Sequence, residues 1–331
     1  MRRKAFSLII ALMLLAVSVS SVLAGEVPSD WAQEHVNIAI IEGLVPAHLQ
    51  SQYTQPTTRA EFCALAVTLY EGITGSVITR RVTFNDTRDI NVEKAAAIGI
   101  VSGVGDNNFA PDAELTREQA ATMLMRLINS VTRIQLERHA ATFADNGSIS
   151  SWARDAAGLM QASGIMGGVG NNTFAPRNPY TREQSIVTLL RASVFIEELF
   201  LATEVMLVDF AAKVHELTNE ERVKAGLQPF GRSELLSAAA AHRAAELELN
   251  FSHTRPGGGM GPGILNEYRV TYRTAGENIA RGQNSPEMVV SDWMGSQGHR
   301  QNILRQSYRN IGVGVYLDSS GRLYWVQLFT D

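Results

Sequence analysis

Apolar positions follow two periods along this chain. Near its C-terminal end, residues 311–317 and 323–329 alternate, which predicts two strands, and Asp318-Ser319-Ser320-Gly321 between them is a hairpin signal. Elsewhere the spacing is helical. Val214, Leu217 and Val223 recur within 210–225 with Glu and Arg between them, and 235–249 is an alanine-rich helical run that carries His242. A further helix is predicted over 287–294, opened by Ser285 as N-cap and Pro286 in the first turn. Residues 193–208 are apolar and lack glycine and proline, so they read as a connecting helix rather than a flexible linker. The Gly- and Pro-rich stretch 255–263 reads as an exposed loop.

The N-terminal half is organised by an internal repeat. Thr58-Arg59-Ala60-Glu61, Thr116-Arg117-Glu118-Gln119 and Thr181-Arg182-Glu183-Gln184 each open an apolar-periodic helix, with Thr placed to cap it and an acidic residue near the positive end of the helix dipole. Ahead of them stand Tyr53-x-x-Pro56, Phe109-Ala110-Pro111 and Phe174-Ala175-Pro176, and further upstream Gly43-Leu44, Gly99-Ile100 and Gly164-Ile165. The unit is helix, glycine-rich loop, aromatic and proline turn, helix.

This unit resembles the S-layer homology (SLH) domain, in three copies at 25–76, 82–133 and 141–196. The resemblance implies an all-α three-repeat bundle of helix-loop-helix units whose grooves bind anionic secondary cell-wall polysaccharide. The residues it assigns to polymer are Trp31, Arg59, Arg117, Trp152, Gly164, Gly167 and Arg182. A guanidinium beside free helix N–H groups suits an anionic sugar substituent, and an indole covers a sugar face. The bland alternative is that the three arginines only cap or pair locally. The third copy holds every element, whereas the first loses its second loop glycine at Pro46 and the second has Val92-Glu93 where a tryptophan is expected.

In the C-terminal part, His253 in FSHT, Glu277 in GENIA and His299 in GHRQNIL bring two imidazoles and a carboxylate from separate segments. Such a set can hold a divalent metal or exchange a proton, and it can equally satisfy buried backbone groups. With VVSDWMGSQGHRQNIL, IGVGVY and YWVQLF in the same order, the stretch 205–331 resembles the CAP superfamily (SCP/PR-1-like) in its bacterial extracellular form. That resemblance implies an α/β/α sandwich with a cleft around two histidines and acidic partners. Lipid or sterol binding, metal binding and peptidase action have all been proposed for members. The expectation for this chain is that His253 and His299 share a metal, with zinc the expected ion, and that Glu277 orients an imidazole or a water. His253, Glu277 and His299 are also the catalytic candidates, for a metal-assisted hydrolase. Eukaryotic members place a second glutamate where this chain has Ser296, and Asp292 or Glu267 could stand in only if the fold points them inward. A cleft that binds a small apolar or glycan ligand, or a metal, is therefore favoured over a hydrolase, and a purely structural S-layer role leaves the cleft motifs unexplained.

Composition adds compartment. Arg2, Arg3 and Lys4, an apolar core over 6–17 and Val22-Leu23-Ala24 predict a signal peptide, 1–24, cleaved after Ala24. A formal net charge of −4 gives no footing for nucleic acid, and no later run is apolar enough to span a membrane in the mature protein. Cys63 is the single cysteine, so intramolecular disulfides are excluded and the domains must stand on their cores. The expected location is extracellular, associated with the cell wall or S-layer.

Overall fold

The computed structural model describes residues 27–132, 134 and 136–331, so the expected signal peptide lies outside the described residues. The chain forms two compact units that meet in sequence at Leu199 and Phe200. No helix among the described residues is long and apolar enough to cross a membrane.

The first unit contains α1 (Asp30–Ile41), α2 (Arg59–Thr74), α3 (Ile90–Ala97), α4 (Arg117–Thr132), α5 (Arg154–Ala162) and the N-terminal part of α6 (Arg182–Lys224). Each Thr of the repeated motif caps its helix reciprocally. Thr58 accepts from the Glu61 amide while the Glu61 carboxylate accepts from the Thr58 amide, and Thr116 with Gln119 and Thr181 with Gln184 do the same. The residues just before these caps close a ring of backbone bonds. Thr57 N–H donates to Tyr180, Tyr180 to Leu115 and Leu115 to Thr57, at 2.7, 2.9 and 2.9 Å. Three bridges, Pro56 with Thr181, Thr58 with Glu114 and Thr116 with Pro179, frame that ring. Phe109 and Phe174 are fully buried, each contributing roughly 1.5–3 kcal/mol by leaving water.

Helix α6 runs unbroken for 43 residues, where the sequence predicted a repeat helix, a connecting helix and a C-terminal-domain helix. No glycine or proline interrupts it, so nothing in the backbone ends a helix before Lys224.

The second unit adds β1 (Gly231–Arg232), α7 (Glu234–Leu249), β2 (Ala275–Arg281), α8 (Pro286–Gly295), α9 (Gln297–Ile303), β3 (Asn310–Leu317) and β4 (Leu323–Thr330). The sheet order is β1-β3-β4-β2, parallel between β1 and β3 and antiparallel elsewhere. Both faces are covered. Trp325 and Phe329 pack with Val214 of α6, Trp293 of α8 and Ile303 of α9. Tyr324, Val326 and Leu328 face Leu236, Ala239, Ala240, Ala244 and Leu247 of α7. The sheet alternation of β4 thus feeds two cores. Gly312 and Gly314 of β3 let α7 lie directly on the strand, since a Cβ at either would overlap the backbone of Leu236 or Ala240.

Candidate functional site

The cleft residues are set by β2 and the segments at its free side. Along β2, Glu277 pairs with Leu328 and so faces α7, while Asn278 pairs with Gln327 and faces the opposite core. Glu277 is 6% exposed. Its Oε1 accepts from Arg243 Nε of α7 at 2.7 Å, and its Oε2 lies 2.7 Å from His253 Nδ1. The His253 side chain is about half exposed, at 49%, and no described residue hydrogen-bonds its Nε2. Gly261 donates its amide to the His253 carbonyl, and the Glu277 carboxylate fills the space a side chain at 261 would need.

His299 sits inside the short helix α9, where the sequence placed it at a loop or helix margin. Burial pushes its pKa down, and the His253 imidazole adds to the effect. The backbone of α9 is tied to the strand through Asn278, whose Nδ2 donates to the His299 carbonyl at 3.1 Å and to Gln327 Oε1 at 2.9 Å. Gln327 passes the chain on to Thr218 of α6 at 2.8 Å. Asn302 of α9 donates to the Glu277 carbonyl and to Asn278 Oδ1, and Trp293 Nε1 donates to the Ile279 carbonyl. These side chains satisfy carbonyls along the edge of β2 that would otherwise stay open.

The acidic residues considered as substitutes at Ser296 point elsewhere. Asp292 accepts from Gln283 Nε2 and Glu267 pairs with Arg255. Glu246 is held by Arg255 and Arg243, which keep its carboxyl below the usual range against the opposing effect of burial. Among the described residues no group of three or more His, Cys, Asp or Glu side chains is arranged to hold a metal ion. With Glu277 engaged by Arg243 and His253, only imidazole nitrogens are left, fewer than the three protein ligands usual for catalytic zinc. The residues therefore fit a resident zinc poorly.

Arg243 was missed from sequence, where His242 drew attention. Its signal was position: 236, 240, 243 and 247 form one helical stripe, and an arginine there needs a buried partner. His242 lies on the surface, 3.3 Å from the Tyr268 hydroxyl.

In the first unit the repeated arginines reach across repeats. Arg59 donates to the carbonyls of Phe109 and Ser102, and Arg117 to those of Phe174 and Gly167. Arg182 donates to the Ser51 carbonyl and pairs with Glu61 at 2.5 Å, leaving its buried Nε without a hydrogen-bond partner among the described residues. Arg117 and Arg182 are buried. Glu183 accepts from the amide and hydroxyl of Ser29, and Glu118 from those of Ser150. Beside those two clasps stand the exposed indoles of Trp31 and Trp152, at 52% and 55%. Gly164 has a positive φ, like Gly43 and Gly99, and ends the first helix of its repeat. The middle repeat differs. Val92 is fully buried, and counting twelve residues back from the loop glycine, the interval that reaches Trp31 and Trp152, lands on Thr87 ahead of a shorter helix.

Residues 215–329 match the cysteine-rich secretory protein family, CAP, and residues 87–121 and 142–184 match the S-layer homology domain. The uncharacterized protein YkwD of Bacillus subtilis (strain 168) is 43% identical over 122 residues, 36% of this chain and 46% of that protein. The amylopullulanase of Thermoanaerobacterium thermosulfurigenes is 31% identical over 165 residues, 48% of this chain and 9% of the enzyme. The surface layer protein of Brevibacillus choshinensis is 26% identical over 101 residues, 30% of this chain and 9% of that protein. The chain thus spans less than half the length of each of these relatives. A solved extracellular protein containing a SCP domain from Bacillus anthracis str. Ames has 27% identity and a TM-score of 0.34, covering 37% of this chain and 40% of that one. The chain carries S-layer homology repeats followed, in sequence, by a CAP domain.

Proposed function

We propose that the protein is held outside the cell on anionic wall polysaccharide by its SLH repeats and presents the CAP cleft as a binding site for a small ligand. The observation that carries the anchoring half is the repeated junction: a Ser–Glu clasp, a buried arginine and an exposed indole, built twice from separate parts of the chain. An exposed indole at each clasp gives a sugar face a place. The surface layer protein among the relatives is consistent with that partner. Binding rather than hydrolysis suits the cleft, because Glu277 is hydrogen-bonded by a permanent cation and has no free oxygen to act as base.

Co-sedimentation of the full chain with purified cell walls tests the anchor. Changing Trp31 and Trp152 together to Ala removes two side chains that are about half exposed, and sedimentation should fall at least several-fold while circular dichroism stays that of the native fold. Unchanged sedimentation of the double variant overturns the assignment of these junctions to polymer.

A further inference from the structure

The cleft contains a charged residue with no assigned role, Arg243. It is fully buried on the alanine face of α7 and spends its donors in three directions: Nε on Glu277, Nη1 on Glu246 Oε2 at 3.3 Å, and Nη2 on the Ser252 carbonyl, next to His253. A guanidinium keeps its charge in proteins, so a carboxylate in direct contact stays an acceptor on both oxygens. Glu277 Oε2 can therefore only accept from His253 Nδ1, and that nitrogen must carry the proton. In a neutral imidazole the other nitrogen is then bare. The pose is locked from several sides. Gly261, having no side chain, leaves the space that the Glu277 carboxylate occupies, and Arg255 ties the loop that follows His253 to Glu246 and Glu267.

We infer that Arg243 is a positioning residue: through Glu277 it fixes His253 as the Nδ1–H tautomer, so that the half-exposed ring offers its Nε2 as an acceptor to whatever enters the cleft. The direction of that offer rests on the reading of the cleft as a binding site. The tautomer does not, and it is measured without any ligand.

Ring nitrogen NMR of the histidine-labelled full chain at pH ~8, where histidine is ordinarily neutral, provides the readout, with the His253 signals assigned by their loss in His253→Gln. The native protein should show the proton on Nδ1. Glu277→Gln should invert the tautomer: Arg243 holds the new amide oxygen, so the amide N–H group faces Nδ1 and moves the ring proton to Nε2. Arg243→Gln should lose the neutral Nδ1–H form, and Arg243→Lys should retain it. A native ring protonated on Nε2, or a native-like His253 spectrum in either Gln variant, overturns the inference. Should Arg243→Gln fail to fold, seen as loss of the buried Trp293 and Trp325 emission, Glu277→Gln decides alone. A cleft that binds nothing while the tautomer behaves as stated refutes the binding reading only. The reverse outcome refutes only the role of Arg243.

Discussion

Arg117 shows what a single buried guanidinium does in the first unit. It lies over the Phe174 ring, 5.1 Å from its centroid, and gives two hydrogen bonds of 2.7 Å to carbonyls of the next repeat. Burial pushes its pKa down, yet arginine stays charged, so removing it strands two carbonyls. A hydrogen bond to a charged group is worth ~1.5–3 kcal/mol, and Arg117→Ala should lower the urea stability of the helical unit by an amount of that order. Arg59→Ala should cost less, because Arg59 is partly exposed and one of its bonds lies at the surface. Circular dichroism of both variants in urea decides it, and an equal or larger loss for Arg59→Ala contradicts the account. The position of these arginines at helix starts was legible in the sequence. Their direction was not, since the carbonyls they hold lie 43 to 131 residues away and carry no residue-type signature. His253 and Glu277 were legible for the opposite reason: their motifs are local and their side chains polar. Arg243 stayed hidden inside an alanine run.

At the scale of elements, the helices and the last hairpin followed from periodicity and caps, whereas β2 did not. Its sequence, AGENIAR, places Gly, Glu and Asn where strands seldom have them, and it is a strand only because Glu277 and Asn278 find buried partners in Arg243 and Gln327. Helix α9 was likewise invisible as a helix, being seven residues long with a glycine in its first turn. The close packing of α7 on β3 is sensitive to volume. Gly312→Ala puts a methyl group into the Leu236 backbone, which cannot swing away as a side chain can. Overpacking of this kind costs typically ~1–3 kcal/mol. Urea unfolding followed by tryptophan emission should show a lower midpoint for this variant in the transition that exposes Trp293 and Trp325, both buried in this unit. An unchanged midpoint would mean that helix and strand separate more freely than the packing implies.

For the whole molecule, acid is the condition that tests the second unit, because two of its histidines have lowered pKa values. Burial lowers the pKa of His215, against a hydrogen bond that the ring donates to the Phe230 backbone and with Arg232 adding to the lowering, and His299 is lowered by burial and by His253. In the unfolded chain both rings return to about 6.5. Between the depressed folded values and that figure the unfolded state binds more protons, so stability rises with pH through the window. The contribution is complete above about 6.5 and is lost as the pH falls. Carboxylates with depressed values, Glu246 and Asp331, the latter at about 2, act in the same direction but only at lower pH, near the ordinary carboxylate range. Comparing pH ~7.5 with pH ~5.5 therefore isolates the histidines. The urea midpoint reported by Trp293 and Trp325 should drop at the lower pH, and His215→Asn, which cannot take up a proton, should shrink that drop. Both rings are partly open to solvent, so the loss is modest and its sign is the test. A midpoint that holds or rises on acidification would show that these imidazoles gain partners when charged, and that burial does not govern them.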